Sequence, residues 1–123
     1  DSYLKSIANA KMGINLSRGN PIKYYSSDRI TQLIGNGLLT FIHSNTHYSN
    51  FFSDDEVIFY SNISGLSEKI QRFARDDSAR KKIAKKGKKK YMKYFNSTIV
   101  ADYIINNTFD ISYKKNKYMW ENK

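Results

Sequence analysis

The chain has 123 residues, of which 40% are hydrophobic and 15% aromatic, so it can bury one modest core and is too apolar to remain disordered. Its formal net charge of +10 favours an anionic partner: nucleic acid, an anionic membrane surface or a phosphate-bearing small molecule. The sequence contains no cysteine, which excludes disulfides, thiolate metal ligands and a cysteine nucleophile.

The sequence has no apolar run as long as a membrane span, and its first residues lack the apolar centre of a signal peptide. We therefore expect a soluble, cytoplasmic protein, with peripheral contact to a membrane as a further option. The first residue is Asp1 rather than Met, and we expect the chain to be a piece of a longer protein.

Helical and strand-like patterns alternate in the N-terminal half of the chain. Leu4, Ile7 and Ala8 have helical spacing, whereas the run MGINLS is continuously apolar in the manner of a buried strand. The elements predicted here are a helix over residues 2–10, a strand over 12–17, a helix over 26–36, a strand over 38–43, a short helix or turn over 46–52 and a strand over 56–60.

The rest of the chain is predicted to be helical. One helix begins near Ser64, a second covers residues 80–95, and a third follows the cap residues 96–98. The apolar face predicted for the third helix consists of Ile99, Val100, Tyr103 and Ile104. The tail has no clear period, and it is either mobile or docked through Tyr118, Met119 and Trp120.

The order of the elements predicts the fold class. Apolar strands that alternate with helices indicate a parallel sheet covered on both faces. We therefore predict an α/β, Rossmann-like half domain with three parallel strands, flanking helices and a helical C-terminus. The domain is assigned to residues 1–110 and the tail to residues 111–123.

The predicted helix over residues 26–36 carries an arginine where its dipole disfavours a cation. Ser26, Ser27 or Asp28 caps this helix, and Arg29 lies in its first turn. Helix N-termini bind phosphate, and a guanidinium binds phosphate bidentately, so Ser27 and Arg29 are candidates for a phosphate site. The alternative is a solvated Arg29 paired with Asp28.

Further candidates follow the predicted strands. Arg18, Gly19 and Lys23 come after the first strand, at the sheet edge where ligands bind in such folds; the alternative is a turn with surface cations. His43 and Ser44 end the second strand at the same edge and are candidates for a ligand pocket, although a lone histidine is more often structural. His43 and His47 have no evident third partner, so we expect no metal site.

The helix over residues 80–95 is unusually rich in lysine. Ile83, Gly87, Tyr91 and Tyr94 form one stripe, which we expect to pack against the domain with Gly87 close to a neighbour. The lysines occupy the other faces. They form either a solvated surface or a site for anionic lipid or nucleic acid, and no recognition motif for nucleic acid accompanies them.

Five segments of the chain resemble the C-terminal part of group 1 glycosyltransferases, and most closely the spore-maturation type. They are MGINLS, SSDRITQLIGNGLLTFIH, FFSDDEVIFY, LSEKI and ARKKIAKKGKKK, and the resemblance covers roughly residues 3–105. The positions that match the family's pattern are Arg29, Gln32, Gly37, the strand LLTFIH, Phe51 or Phe52, Glu56, Leu66, Ile83, Ala84 and Gly87.

The resemblance implies a GT-B enzyme whose donor-binding domain includes this chain. Arg29 would then neutralise the diphosphate of a nucleotide diphosphate sugar, and Gln32 would contact its ribose. The family usually has Glu at the position of Gln32, so the donor would be bound more weakly or would differ. Glu56 would lie near the donor, or alternatively form an ordinary pair with a lysine.

The resemblance also implies what lies outside the chain. An N-terminal domain would supply the acceptor site and any catalytic base, so the catalytic residues are unknown and the chain alone would be inactive. We expect no cofactor apart from the sugar donor, and no metal. A truncated sheet would also expose its first strand as an edge and favour self-association.

Overall fold

The computed structural model describes residues 2–25, 27–115 and 117–121. Its helices there are α1 (Ser2–Asn9), α2 (Asp28–Gly35), α3 (Ile63–Arg75), α4 (Asp77–Tyr94) and α5 (Ser97–Thr108). Its strands are β1 (Met12–Asn15), β2 (Leu39–His43) and β3 (Ile58–Tyr60). Two short 3-10 helices, Ser44–Thr46 and Tyr48–Asn50, lie in the segment predicted as a short helix or turn.

The three strands form one parallel sheet in the order β1-β2-β3. Met12 is aligned with Leu39, and Phe41 with Ile58. The sheet with its flanking helices and helical C-terminus confirms the predicted Rossmann-like half domain. The first strand is an edge strand, as expected.

Both faces of the sheet are covered, which explains why the strands are continuously apolar. On one face, Ile42 packs with Ile30 and Ile34 of α2. On the other face, Phe41 packs with Leu66 and Phe73 of α3. The central strand is consequently the most deeply buried element of the domain.

Helix α4 passes along the edge of the sheet at which the strands begin. Its Ala84 belongs to the cluster on the α3 face, whereas Tyr91 packs against the cluster on the α2 face. Gly87 lies between them, against the main chain of Glu56 just before β3. The predicted stripe of Ile83, Gly87, Tyr91 and Tyr94 lies on the packed side of this helix, which also includes the buried Arg80 and Ala84.

The tail is docked onto α5 through Tyr118 and Trp120. Tyr118 is only 2% exposed, and its hydroxyl donates to Asp102 Oδ2 (2.6 Å) and accepts from Asn106 Nδ2 (2.7 Å). The ring of Trp120 contacts Phe95 and stacks on Tyr118. The structure thus selects the docked alternative for the described part of the tail.

The apolar face predicted for α5 is wrong in part. Ile104 is 56% exposed and Val100 is also exposed, whereas Asn106 is buried. The reason is that the tail covers the side of α5 that carries Asp102, Tyr103 and Asn106, and supplies the hydroxyl that pairs the buried amide. Periodicity alone did not show which side the tail would cover.

The third strand had been predicted to begin at Glu56, and this prediction is wrong. Residues 53–56 form a turn in which the amide of Glu56 donates to the carbonyl oxygen of Ser53 (3.0 Å), and pairing begins only at Ile58. The strand-like pattern EVIFY therefore includes two residues that belong to the turn. None of the described helices combines the length and the apolar character needed to cross a bilayer.

Candidate nucleotide-sugar site

A cavity of about 710 Å³ opens where β1 ends and α2 begins. It is lined by Tyr3, Leu16, Ser17, Arg18, Tyr25, Ser27, Asp28, Arg29 and Gln32. Four of the six residues predicted to bind the donor or its phosphates therefore share one cavity. In sheets of this kind ligands bind at this edge, beyond the carboxyl ends of the strands.

Arg29 reaches back across the loop to β1. Its Nη1 donates to the carbonyl oxygen of Leu16 at 2.7 Å, which fixes the first turn of α2 to the end of the strand. No ion pair with Asp28 is present in the described structure, so Arg29 is anchored by a neutral carbonyl. Its positive charge is not cancelled by that contact and remains available to an anion.

The N-terminus of α2 lacks the side-chain cap that three other helices have. Asn62, Asp76 and Asn96 each accept a hydrogen bond from the amide three residues later. Ser27 occupies the cap position of α2 with extended backbone, but its side chain makes no such bond. The first turn of α2 is therefore less satisfied by its own chain than those of α3, α4 and α5.

Polar atoms beside the cavity also lack partners. Ser27 Oγ and Gln32 Oε1 are buried and have no hydrogen-bond partner among the described residues. Buried polar groups are normally paired, so unpaired atoms at a cavity are candidates for ligand contacts. Together with Arg18 and Arg29, they give the cavity both cations and hydrogen-bonding groups.

Asn15, which sequence reasoning did not select, is a further unpaired polar residue at the end of β1, one position before the cavity residue Leu16, although it does not itself line the cavity. It is 1% exposed, and neither its amide nitrogen nor its amide oxygen has a partner within the described structure. It lies on the same face of β1 as Gly13, whose missing Cβ makes room for Leu33 of α2. The signal in the sequence was a polar residue inside the apolar run MGINLS.

Gly19 and His43 line a second cavity, of about 350 Å³, at the same edge of the sheet. It shares Leu16 and Ser17 with the larger cavity. His43 Nδ1 accepts from the amide of Asn45 at 3.2 Å, and its ring packs edge-on against Tyr60. The prediction that Gly19 and His43 belong to this edge is thus consistent with the geometry.

Three of the predicted residues lie outside both cavities. Ser44 is next to His43, but its hydroxyl donates to the carbonyl oxygen of Tyr60 at 3.1 Å. Lys23 is exposed and lies over the ring of Tyr24. Glu56 lies at the opposite edge of the sheet, where the strands begin, because it precedes β3.

Glu56 has a structural environment of its own. Its Oε2 accepts from Lys90 Nζ at 2.7 Å and from the amide of Ser53 at 2.9 Å. Partial burial acts to raise the pKa of Glu56, but the hydrogen bonds from Lys90 and Ser53 outweigh it and leave the pKa below its usual value. Glu56 is therefore paired with a lysine, which is the alternative that we gave for this residue in the sequence analysis.

The comparison with protein families decides the class of this domain. The model of a family described as glycosyl transferase-like matches residues 1–106. The chain belongs to this glycosyl transferase-like family. No curated protein and no solved structure matches it.

Within the glycosyl transferase-like domain, four of the residues that carried the resemblance form two pairs at opposite edges of the sheet. Arg29 and Gln32 lie at the large cavity. Glu56 and Gly87 lie in contact with each other at the opposite edge. The first group is available to a ligand, whereas the second fastens α4 to the sheet.

The described residues contain no group of three or more histidine, aspartate or glutamate side chains able to hold a metal ion. His43 and His47 are separated by a 3-10 helix, and His47 adopts a left-handed conformation with φ 58°. These two histidines therefore do not share a helix face.

Proposed function

We propose that this glycosyl transferase-like domain is the donor-binding part of a GT-B glycosyltransferase of the spore-maturation type. It binds a nucleotide diphosphate sugar in the cavity between β1 and α2. The enzyme transfers the sugar to an acceptor, for which a cell-envelope or other glycan is the class we favour.

The observation that carries this proposal is the shared cavity of Arg18, Ser27, Arg29 and Gln32. Two guanidinium groups and a helix N-terminus meet there, and each favours a phosphate group. The cavity volume of about 710 Å³ falls in the range of small-molecule and cofactor sites.

The residues at the cavity have separate roles in this proposal. Arg29 neutralises the diphosphate while its bond to the Leu16 carbonyl holds the guanidinium in place. Arg18 supplies a second cation from the loop after β1. Gln32 offers its unpaired Oε1 to a ribose hydroxyl.

The reaction proposed for the complete enzyme does not need a metal. When the bond between sugar and diphosphate breaks, negative charge develops on the diphosphate that leaves. Arg29 and the amides at the start of α2 stabilise that charge. An N-terminal domain supplies the acceptor site and any base, so the isolated chain binds donor without turning it over.

Titration with UDP, GDP and ADP, followed through backbone amide signals, tests this proposal. We expect one of the nucleotides to shift amides of residues 15–32. Arg29→Ala should weaken the binding by about tenfold or more, because a charged hydrogen bond is lost.

Two further variants test how Arg29 contributes to nucleotide binding. Arg29→Lys keeps the charge but loses the planar fork, and should restore only part of the affinity. Arg75→Ala removes an exposed arginine from the last turn of α3 and should leave affinity unchanged. Equal losses in Arg29→Ala and Arg75→Ala, or the absence of shifts in residues 15–32 with all three nucleotides, would refute the donor site.

A further inference from the structure

A second polar cleft lies at the opposite edge of the sheet, where the strands begin. It has a volume of about 410 Å³ and is formed by the residues before β1 and β2 together with residues 80–88 of α4. Its lining residues are Ala10, Lys11, Asn36, Gly37, Arg80, Lys81, Ala84, Lys85 and Lys88. We call it the basic cleft.

Three of the four lysines that line the basic cleft, Lys11, Lys85 and Lys88, have no acidic partner among the described residues. Elsewhere on α4, Lys86 pairs with Asp55 and Lys90 with Glu56. By contrast, Lys85 and Lys88 form no ion pair with any described residue. None of the described residues that line the cleft is acidic.

A lysine from another element faces the same cleft. Lys11 comes from the turn before β1, and it also forms no ion pair in the described structure. The nearest carboxylate of the ion-pair network is Asp77, which already pairs with Arg80 and Lys81. The hydrogen bond from Arg80, and to a smaller degree the charge of Lys11, hold the pKa of Asp77 below its usual value.

Helical spacing and small residues give the basic cleft its form. Lys81, Lys85 and Lys88 follow one another at intervals of four and three along α4, and so lie on one face of the helix. Like charges at this spacing repel one another unless an anion lies between them. A Cβ at Gly37 would approach Lys88 Cδ to 3.3 Å, so the glycine leaves room for that side chain.

Arg80 forms the floor of the basic cleft rather than part of its binding surface. It is 3% exposed, and its Nη1 donates to the carbonyl oxygen of Phe73 and to Asp77. Its guanidinium is therefore held in place by its own chain. The contacts to a ligand are left to Lys11, Lys85 and Lys88, which are exposed.

We propose that the basic cleft binds a ligand with at least two clustered phosphate groups, at a site distinct from the donor cavity. Lysine ammonium groups bind phosphate as point charges, and three of them from two elements surround the cleft. The described lining residues include no aromatic ring on which a nucleic-acid base would stack, which disfavours nucleic acid as the ligand. The phosphates belong either to a soluble polyphosphate or to the headgroups of an anionic membrane.

Titration of the chain with inorganic pyrophosphate and tripolyphosphate tests whether the basic cleft binds a soluble polyphosphate. We expect shifts in the amides of Lys11, Gly37 and Lys85, and about a tenfold weaker affinity in the double variant Lys85→Ala/Lys88→Ala. The matched control is Lys82→Ala/Lys89→Ala, which removes the same charge from the same helix at residues that do not line the cleft. It should change the affinity less than twofold.

Sedimentation with vesicles of phosphatidylglycerol and phosphatidylcholine in equal parts tests whether the basic cleft binds the headgroups of an anionic membrane. Binding to these vesicles that is lost in Lys85→Ala/Lys88→Ala and kept in the control assigns the phosphates to a lipid surface. Equal losses in both double variants would show a diffuse charge effect and overturn the proposal. So would binding of a single-stranded RNA in the absence of binding to both phosphate probes.

The outcomes are separable from those for the donor cavity. A nucleotide that shifts residues 15–32 in Lys85→Ala/Lys88→Ala as it does in the natural chain reports on the donor cavity alone. Shifts by pyrophosphate that are confined to residues 15–32 would count against the basic cleft. Loss of nucleotide binding in Arg29→Ala leaves the prediction for the basic cleft unchanged.

Discussion

Gly87 of α4 lies directly against the carbonyl group of Glu56. A Cβ built on Gly87 would lie 2.1 Å from that carbonyl oxygen, closer than any real Cβ contact. The close approach lets α4 cross the beginning of β3 and join the packing clusters on the two faces of the sheet. The side chain of Glu56 strengthens the same junction by pairing with Lys90, one turn further along α4.

The contact between Gly87 and Glu56 predicts a large effect of one methyl group. Gly87→Ala should lower the free energy of unfolding by about 2–4 kcal/mol, because backbone must move to admit the Cβ. Urea denaturation measures this loss. The control is Gly35→Ala at the end of α2, where a Cβ would meet only Met92 Cε at 4.0 Å and the change should be neutral or slightly stabilising. Equal effects of the two substitutions would contradict the close approach.

The pairing of Glu56 predicts part of the acid sensitivity of the domain. Its pKa is below the usual 4.5, so its stabilising effect is complete above that pH and is lost as the pH falls through the lowered pKa. Glu56→Gln should cost about 1 kcal/mol at pH 7 and flatten the decline of stability below pH 4.5. Glu68→Gln, at an exposed residue of α3, should do neither. Urea midpoints measured between pH 3 and pH 7 test both variants.

A substitution at Gln32 is expected to increase the affinity for nucleotide. Gln32→Glu restores the acidic residue that the resembling family carries, and a carboxylate accepts a stronger hydrogen bond from a ribose hydroxyl than an amide does. Nucleotide affinity should rise by about three- to tenfold if Gln32 contacts the ribose. A 2′-deoxynucleotide should show a smaller gain. A gain of the same size with inorganic pyrophosphate would place Gln32 away from the ribose.

Substitution of Asn15 is expected to raise the stability of the domain and to weaken its binding of nucleotide. Its buried amide is unpaired, so Asn15→Leu should raise the free energy of unfolding by about 1 kcal/mol while it weakens nucleotide binding. Asn106 is the matched control, because its buried amide donates to Tyr118. Asn106→Leu should destabilise the domain and leave nucleotide binding unchanged. A destabilised Asn15→Leu would show that the amide is paired in solution.

The docked tail offers a spectroscopic prediction. Tyr118→Phe removes the hydroxyl that bridges Asp102 and Asn106 and leaves both groups without that partner. We expect a local loss of about 1–3 kcal/mol and a red shift in the emission of Trp120, the single tryptophan of the chain. Tyr113→Phe is the control, since the Tyr113 hydroxyl forms longer hydrogen bonds to Asn107, at 3.3 and 3.5 Å, and lies beside Glu121 without bridging Asp102 and Asn106. A red shift of equal size in both variants would contradict the bridging role.

The features that were predicted correctly depend on residues close together in the sequence or on a general rule of parallel sheets. The helix α2 was predicted well because its apolar spacing and its glycine stop are local features. Gly37 has a φ of 81°, a conformation that few residues other than glycine adopt. The shared cavity of Arg18 and Arg29 was also foreseeable, because carboxyl ends of parallel strands and the helices that follow them meet at one edge.

Other features depended on surfaces that meet only in the folded chain. Nothing near Glu56 in the sequence indicates that Lys90 will neutralise it, because α4 reaches it across 34 positions. The same holds for Arg29, which donates to the carbonyl oxygen of Leu16, just after β1, instead of pairing with its neighbour Asp28. The buried side of α5 was predicted wrongly because the tail, rather than the sheet, covers it.

The sequence by itself determined the class of this domain: its helices and strands, their parallel order, its family and the edge at which a phosphate is expected. These follow from local apolar patterns, caps and glycines, which act over a few residues. Only the tertiary structure separated the motif residues into a cavity group around Arg29 and a packing group around Gly87. It also paired Lys86 and Lys90 of α4 with acids and left Lys85 and Lys88 facing the basic cleft without one, because charge compensation depends on which distant residues the fold brings together.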